Sequence, residues 1–136
     1  MEIAGFKTQS SGFGPDETIK RLAAAIEARG MTVFARIDHA AAAHRAGLTL
    51  WPTAVILFGD PHMGTPLMQV ARTVAIDLPL RAMIWRDPSG ATWLSYNDPK
   101  WIFERHGLDP NADPARALRE ALIASVQEAV GALQPE

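Results

Sequence analysis

The side chains able to do chemistry fall in three short segments. Asp38-His39 follows one apolar run, and Gly59-Asp60-Pro61-His62-Met63-Gly64-Thr65 follows another. Tyr96-Asn97-Asp98 closes a third. An imidazole beside a carboxylate, as in Asp60 and His62, can share a proton or a metal. The plainer reading is a loop histidine bonded to backbone. Gly59 to Gly64 could also expose backbone N–H groups at a helix N-terminus as an anion seat, although a turn needing glycine explains the same residues. His39 and His44 are five apart, which on a helix turns them about 140° from each other and prevents chelation of one metal. His106, next to Gly107, reads as a cation at a helix C-terminus. The candidate ligand-binding set is Asp38, His39, Gly59, Asp60, His62, Gly64, Thr65, Tyr96, Asn97 and Asp98. No metal ligand set, catalytic residue or cofactor is assigned by these patterns.

Several reaction classes lose their support. The chain has no cysteine, which removes disulfides, thiol nucleophiles and thiolate metal sites. No serine stands in a G-x-S-x-G elbow, and no phosphate-binding G-x-G-x-x-G or G-x-x-x-x-G-K-[ST] occurs. Thirteen Lys and Arg against 15 Asp and Glu, without a block of like charge, leave no footprint for nucleic acid. The N-terminus lacks a basic leader with an apolar core, and no apolar run approaches the ~20 residues of a membrane span. A soluble cytoplasmic protein is expected, with no membrane partner.

The elements that must position these groups follow from periodicity. Residues 1–136, 48% hydrophobic, suit a single domain with a core of its own. Residues 2 to 9 read as a first strand, with Ser10 to Gly14 as a link. Pro15, Asp16 and Glu17 open a helix whose Ile19, Leu22, Ala23 and Ile26 share a face, and Gly30 stops it. Met31, Val33, Ala35 and Ile37 alternate as a strand; Asp38 then caps a short helix over 39 to 46. The unbroken run 53 to 58 reads as a strand buried on both faces. A short helix starts near Thr65-Pro66. Asp87-Pro88-Ser89-Gly90 has the residue preferences of a type I turn and joins strands 80 to 85 and 91 to 96. Asn97-Asp98-Pro99 starts a helical segment reaching His106, and a final helix over about 114–133 presents Leu118, Leu122, Val126, Ala129 and Leu133 on one face. The expected fold is α+β: one mostly antiparallel sheet with a β-α-β(4)-α core, long helices on one face and short helices inserted. Trp51, Trp85, Trp93 and Trp101 serve a core, a ligand cavity or a dimer face.

Four strings, in order, carry a family resemblance: Arg36-Ile37-Asp38-His39-Ala40-Ala41-Ala42; Phe58-Gly59-Asp60-Pro61 with Gly64-Thr65-Pro66-Leu67-Met68; Ile76-Asp77-Leu78-Pro79-Leu80; and Tyr96-Asn97-Asp98-Pro99. Together they resemble the family known as domain of unknown function 302 over roughly residues 16 to 107. Asp60 departs from the family's Phe-Gly-Asn-Pro pattern and adds a charge. The resemblance implies the same β-α-β(4)-α core and a homodimer, and it implies no established activity. Three functions stay open: a small-ligand-binding or accessory module; an enzyme or metal-binding protein using Asp60, His62 or His39; and a dimeric structural or partner-docking protein. If the loops meet at one sheet end, His39, His62 and Asn97 form one polar cluster. An antiparallel order separates some of them instead.

Overall fold

The computed structural model describes residues 2–131. Five strands, β1 (Phe6–Ser11), β2 (Thr32–Asp38), β3 (Thr53–Gly59), β4 (Leu80–Arg86) and β5 (Thr92–Asn97), form one sheet in the order β1-β5-β4-β3-β2. Every neighbouring pair is antiparallel. Helix α1 (Pro15–Ala28) joins β1 to β2, and α5 (Asp113–Val130) follows the last strand. Between the strands lie α2 (His39–Arg45), α3 (Pro61–Val70), a 3₁₀ helix (Arg72–Asp77) and, after β5, α4 (Pro99–Arg105).

The core forms because α1 and α5 each carry one apolar stripe and the central strands each present one apolar face. Leu22 and Ile26 of α1, with Leu118, Leu122 and Val126 of α5, join Ile56 and Phe58 of β3, Leu80, Ala82 and Ile84 of β4 and Leu94 of β5 in one buried cluster. Alternate residues point away from the helices. Val55, Leu57, Met83, Trp85 and Trp93 are therefore only partly buried, which corrects the expectation that residues 53 to 58 are buried on both faces: helices cover a single side. On the open side Trp85 stacks on Trp93 with centroids 6.2 Å apart, and the Trp85 indole donates to Ser95 Oγ at 2.9 Å.

The β4–β5 hairpin turns as its residues dictate. Asp87 Oδ1 accepts the backbone N–H of Ser89 and Ala91, and Gly90 takes φ +92°, a region only glycine enters cheaply. The Ser89 hydroxyl, the Trp93 indole and these N–H groups hold the Asp87 carboxyl down to about 2.

The bounds of β1, α3 and α5 are among those that differ from expectation. β1 runs from Phe6 to Ser11, because β5 extends far enough to pair Thr92 with Ser11. α3 begins at Pro61, four residues early: the Asp60 carboxylate accepts the His62 N–H and Pro61 fits the first turn, so Pro66 lies inside the helix. α5 spans Asp113–Val130 and ends at Gly131 in the left-handed region; Leu133 lies outside the described residues.

Ile56 is 1% exposed on the covered face. Its replacement by Ala should lower unfolding stability by about 2–5 kcal/mol in chemical denaturation, the lost burial plus the cavity; a loss below about 1 kcal/mol would contradict its central position.

Candidate functional site

Antiparallel pairing decides which polar segments meet. Asp38 lies opposite Ala54 and Thr32 opposite Gly59. Asp38-His39 therefore leaves the sheet at one end, and Asp60-His62 leaves it at the other, about 17 Å away at ~3.4 Å per residue. Asn97 pairs with Phe6, and Phe58 with Leu80, which puts Asn97 and Asp98 at the Gly59 end but two strands across. The single cluster of His39, His62 and Asn97 is not formed. Among the described residues no group of three or more His, Cys, Asp or Glu side chains is placed to hold a metal ion.

Gly59, Asp60, Gly64 and Thr65 line one cavity of about 220 Å³. Met68, Leu78, Pro79, Leu80 and Leu118 make the rest of it mostly apolar, with Phe34 and Ala75 also on its wall. The cavity exists because β3 turns into α3 without a loop. Asp60 caps α3, and Gly64 is buried on its inner side beside Leu78. The cap uses one carboxylate oxygen. Asp60 Oδ1 accepts the His62 N–H at 2.8 Å and lies 3.2 Å from His62 Nδ1. The His62 side chain is 96% exposed and faces solvent outside the cavity.

The other candidates divide between separate places. Asp38 caps α2 by accepting the Ala41 N–H, and lines a cavity of about 200 Å³ with Asp16, Arg36 and Ile84 at the far sheet end. His39 is exposed. Asp98 caps α4 through Lys100 N–H and takes two hydrogen bonds from the Arg119 guanidinium, at 2.8 and 3.1 Å. Burial pushes the Asp98 carboxyl up. Arg119, the Lys100 N–H and the charge of Lys7 together outweigh that and hold it below the usual carboxylate range. The neighbouring Tyr96 phenol is pushed up, by burial first and then by Asp98. Asn97 lines a smaller, polar cavity of about 120 Å³ with Ile76, Asp77, Arg81 and Ile102.

One constellation has no counterpart in the sequence reading. His106 ends α4, its backbone N–H donating to the Phe103 carbonyl, and its ring lies between Thr73 and Asp77 of the 3₁₀ helix, 2.9 Å from Thr73 Oγ1 and 2.6 Å from Asp77 Oδ2. In the sequence Asp77 enters only as part of the string Ile76-Asp77-Leu78-Pro79-Leu80. His106 gave only a helix-end signal, and about 30 residues separate the two.

Comparison with known proteins places the chain. The family model described as "Domain of unknown function DUF302" matches residues 6–128. The crystal structure of an uncharacterized conserved DUF302 protein from Bacillus stearothermophilus superposes with a TM-score of 0.82 at 19% identity, covering 93% of this chain and 99% of that one. Two curated relatives are both named Fluoride-specific ion channel FluC 1. That of Brucella suis is 49% identical over 112 residues, covering 82% of this chain and 44% of the relative. That of Brucella abortus is also 49% identical, with 42% of its length covered. The chain thus spans less than half the length of the curated relatives it matches.

The Asp98–Arg119 pair ties the start of α4 to α5, and its pH dependence has a defined sign. A carboxyl held low in the fold contributes stability that is complete above its unfolded value near 3.9 and is lost as the pH falls through the folded value. Asp98→Asn should cost about 1–3 kcal/mol at pH 7 by urea denaturation. The deficit should shrink as the pH falls below about 4, where the unfolded chain takes up the proton before the folded carboxyl does; a deficit equal at pH 7 and in acid would contradict the ion-pair account.

Proposed function

This chain belongs to the family described as Domain of unknown function DUF302, and from that premise we propose that it is a small-ligand-binding accessory module. The carrying observation is the cavity of about 220 Å³ at the β3–α3 junction. It is smaller than the ~300–1,000 Å³ of pockets for drug-sized molecules, so its ligand is a short one. The wall is apolar apart from Asp60 and Thr65. Asp60 Oδ1 is committed to the helix cap, which leaves Oδ2 for a donor on the ligand. A short alkyl chain ending in an ammonium or hydroxyl group meets both requirements. A shared metal or acid/base site for His39, His62 and Asp60 gains nothing from this geometry, because the two imidazoles leave opposite ends of the sheet.

The relatives favour the accessory part of the reading. An ion channel needs segments that cross a bilayer with their backbone groups paired. Among the described residues no helix is long and apolar enough to do so. This chain covers 44% of the Brucella suis relative, and on our reading it acts as a module next to a larger assembly or as a dimer of its own. The edge of the sheet supports self-association: β2 is an edge strand whose Ile37, opposite Val55, is 43% exposed, and Trp51 just before β3 is 52% exposed. A second copy would remove these groups and the free strand edge from water.

Calorimetric titration with hexylamine and with 1-hexanol tests the ligand reading. Both should bind saturably with a dissociation constant of about 1 mM or tighter. Ala75→Trp, on the exposed part of the cavity wall, should abolish both. Asp60→Asn keeps a capping oxygen and should weaken hexylamine alone, by about tenfold. Light scattering on the same samples should give twice the chain mass. Absence of saturable binding would overturn the ligand reading, and a monomer at high concentration would overturn the dimer.

A further inference from the structure

Strand β2 carries one residue more than its partner requires. Val33 lies opposite Phe58 and Ala35 opposite Leu57, which are consecutive in β3, so Phe34 has no partner and forms a bulge. A bulge breaks the alternation of a strand and re-aims a side chain, and bulges gather at sheet edges and beside functional sites. β2 is an edge strand. The side chain set free here is a phenyl ring. Phe34 lines the apolar cavity at the β3–α3 junction and is at the same time 51% exposed, which puts it at the cavity mouth. A Cβ at Gly59 would come within 3.6 Å of Phe34 Cε2, so the ring lies beside the residue that precedes Asp60. An aromatic ring and a carboxylate thus line neighbouring parts of one cavity.

That pairing selects among head groups. The face of an aromatic ring attracts a cation, and the attraction grows as the cation loses water. The acceptors limit how many N–H groups such a cation can bring. Asp60 Oδ1 is taken by the His62 N–H, which leaves Oδ2 and the Thr65 hydroxyl as the side-chain acceptors on an otherwise apolar wall. A primary ammonium has three N–H donors, and any left unpaired on entry carries a desolvation penalty. A tertiary ammonium has one. Its alkyl groups need no acceptor and present carbon to the ring and to Met68 and Leu78.

We propose that the cavity is a site for tertiary alkylammonium ions and that Phe34, placed by the bulge, is the residue that makes it prefer them to primary amines. This inference rests on the ligand reading of the same cavity and adds the identity of the head group. Asp60 Oδ2 accepts the single N–H, the N-methyl groups meet the Phe34 ring, and the chain runs along Leu78, Leu80 and Leu118.

Calorimetric titration of the full chain at pH 7 with N,N-dimethylhexylamine, hexylamine and 1-hexanol tests it, since the three share one chain and differ in the head. The wild type should bind the dimethylamine about tenfold more tightly than hexylamine. Phe34→Leu keeps an apolar side chain without a ring; it should weaken the dimethylamine at least about fivefold more than the uncharged hexanol, whose binding also reports an intact cavity. Phe34→Tyr keeps the ring and should keep the preference. Binding of hexylamine and hexanol with no preference for the dimethylamine, or a preference that survives in Phe34→Leu, would overturn this inference and leave the ligand reading standing. Absence of saturable binding by all three would overturn both.

Discussion

Burial of one sheet face beneath α1 and α5 is the constraint on which the other features depend. The side chains of Ile56, Phe58, Leu80, Ile84 and Leu94 must all point to the same side to meet Leu22, Ile26, Leu118 and Leu122. Because the side-chain period in a strand is two, a slip of one residue in any pairing would turn a strand's apolar set outward. The register is thereby fixed, and with it the end of the sheet at which each connection emerges. Every loop that could carry a site inherits its position from this packing.

The helix caps show how closely structure and candidate chemistry are interleaved. Asp38 ends a strand, Asp60 and Asp98 directly follow one, and each accepts an N–H from the helix that comes next. A carboxylate at a helix start is favoured by the cap hydrogen bond and by the dipole. At Asp98 the remaining acceptor capacity is spent on Arg119, which anchors α5. At Asp60 it is left facing a cavity lined by Leu78, Leu80 and Leu118. The same residue type in the same local role thus closes an ion pair in one place and lines an apolar cavity in the other, and only the neighbours distinguish them.

Much of this fold is legible in the chain because its signals are local. The stop at Gly30, the Asp87 to Gly90 turn and the apolar spacing in residues 115 to 130 each act within a few residues, and the corresponding elements form as expected. The start of α3 was misplaced because two prolines, Pro61 and Pro66, compete for the first-turn position, and the Asp60 cap settles it in favour of the former. The candidate site was only half legible. Asp38-His39 and Asp60-His62 look alike in sequence, but successive strands of an antiparallel sheet end on opposite sides. The Thr73–His106–Asp77 chain was invisible for a different reason: Thr73 and Asp77 reach His106 across 33 and 29 residues, and no local spacing encodes a contact made when the 3₁₀ helix docks on α4.

The central claim is that the two ends of the sheet are functionally unequal, the β3–α3 end being the one that takes a ligand. Amide chemical shifts of uniformly ¹⁵N-labelled protein, followed during addition of hexylamine, test it most directly. The account predicts saturable shifts at Gly59, Asp60, Gly64, Thr65 and Ala75, with Asp38, His39 and Ala41 unmoved. Shifts concentrated at Asp38 to Ala41, or spread evenly over the exposed sheet side, would contradict it.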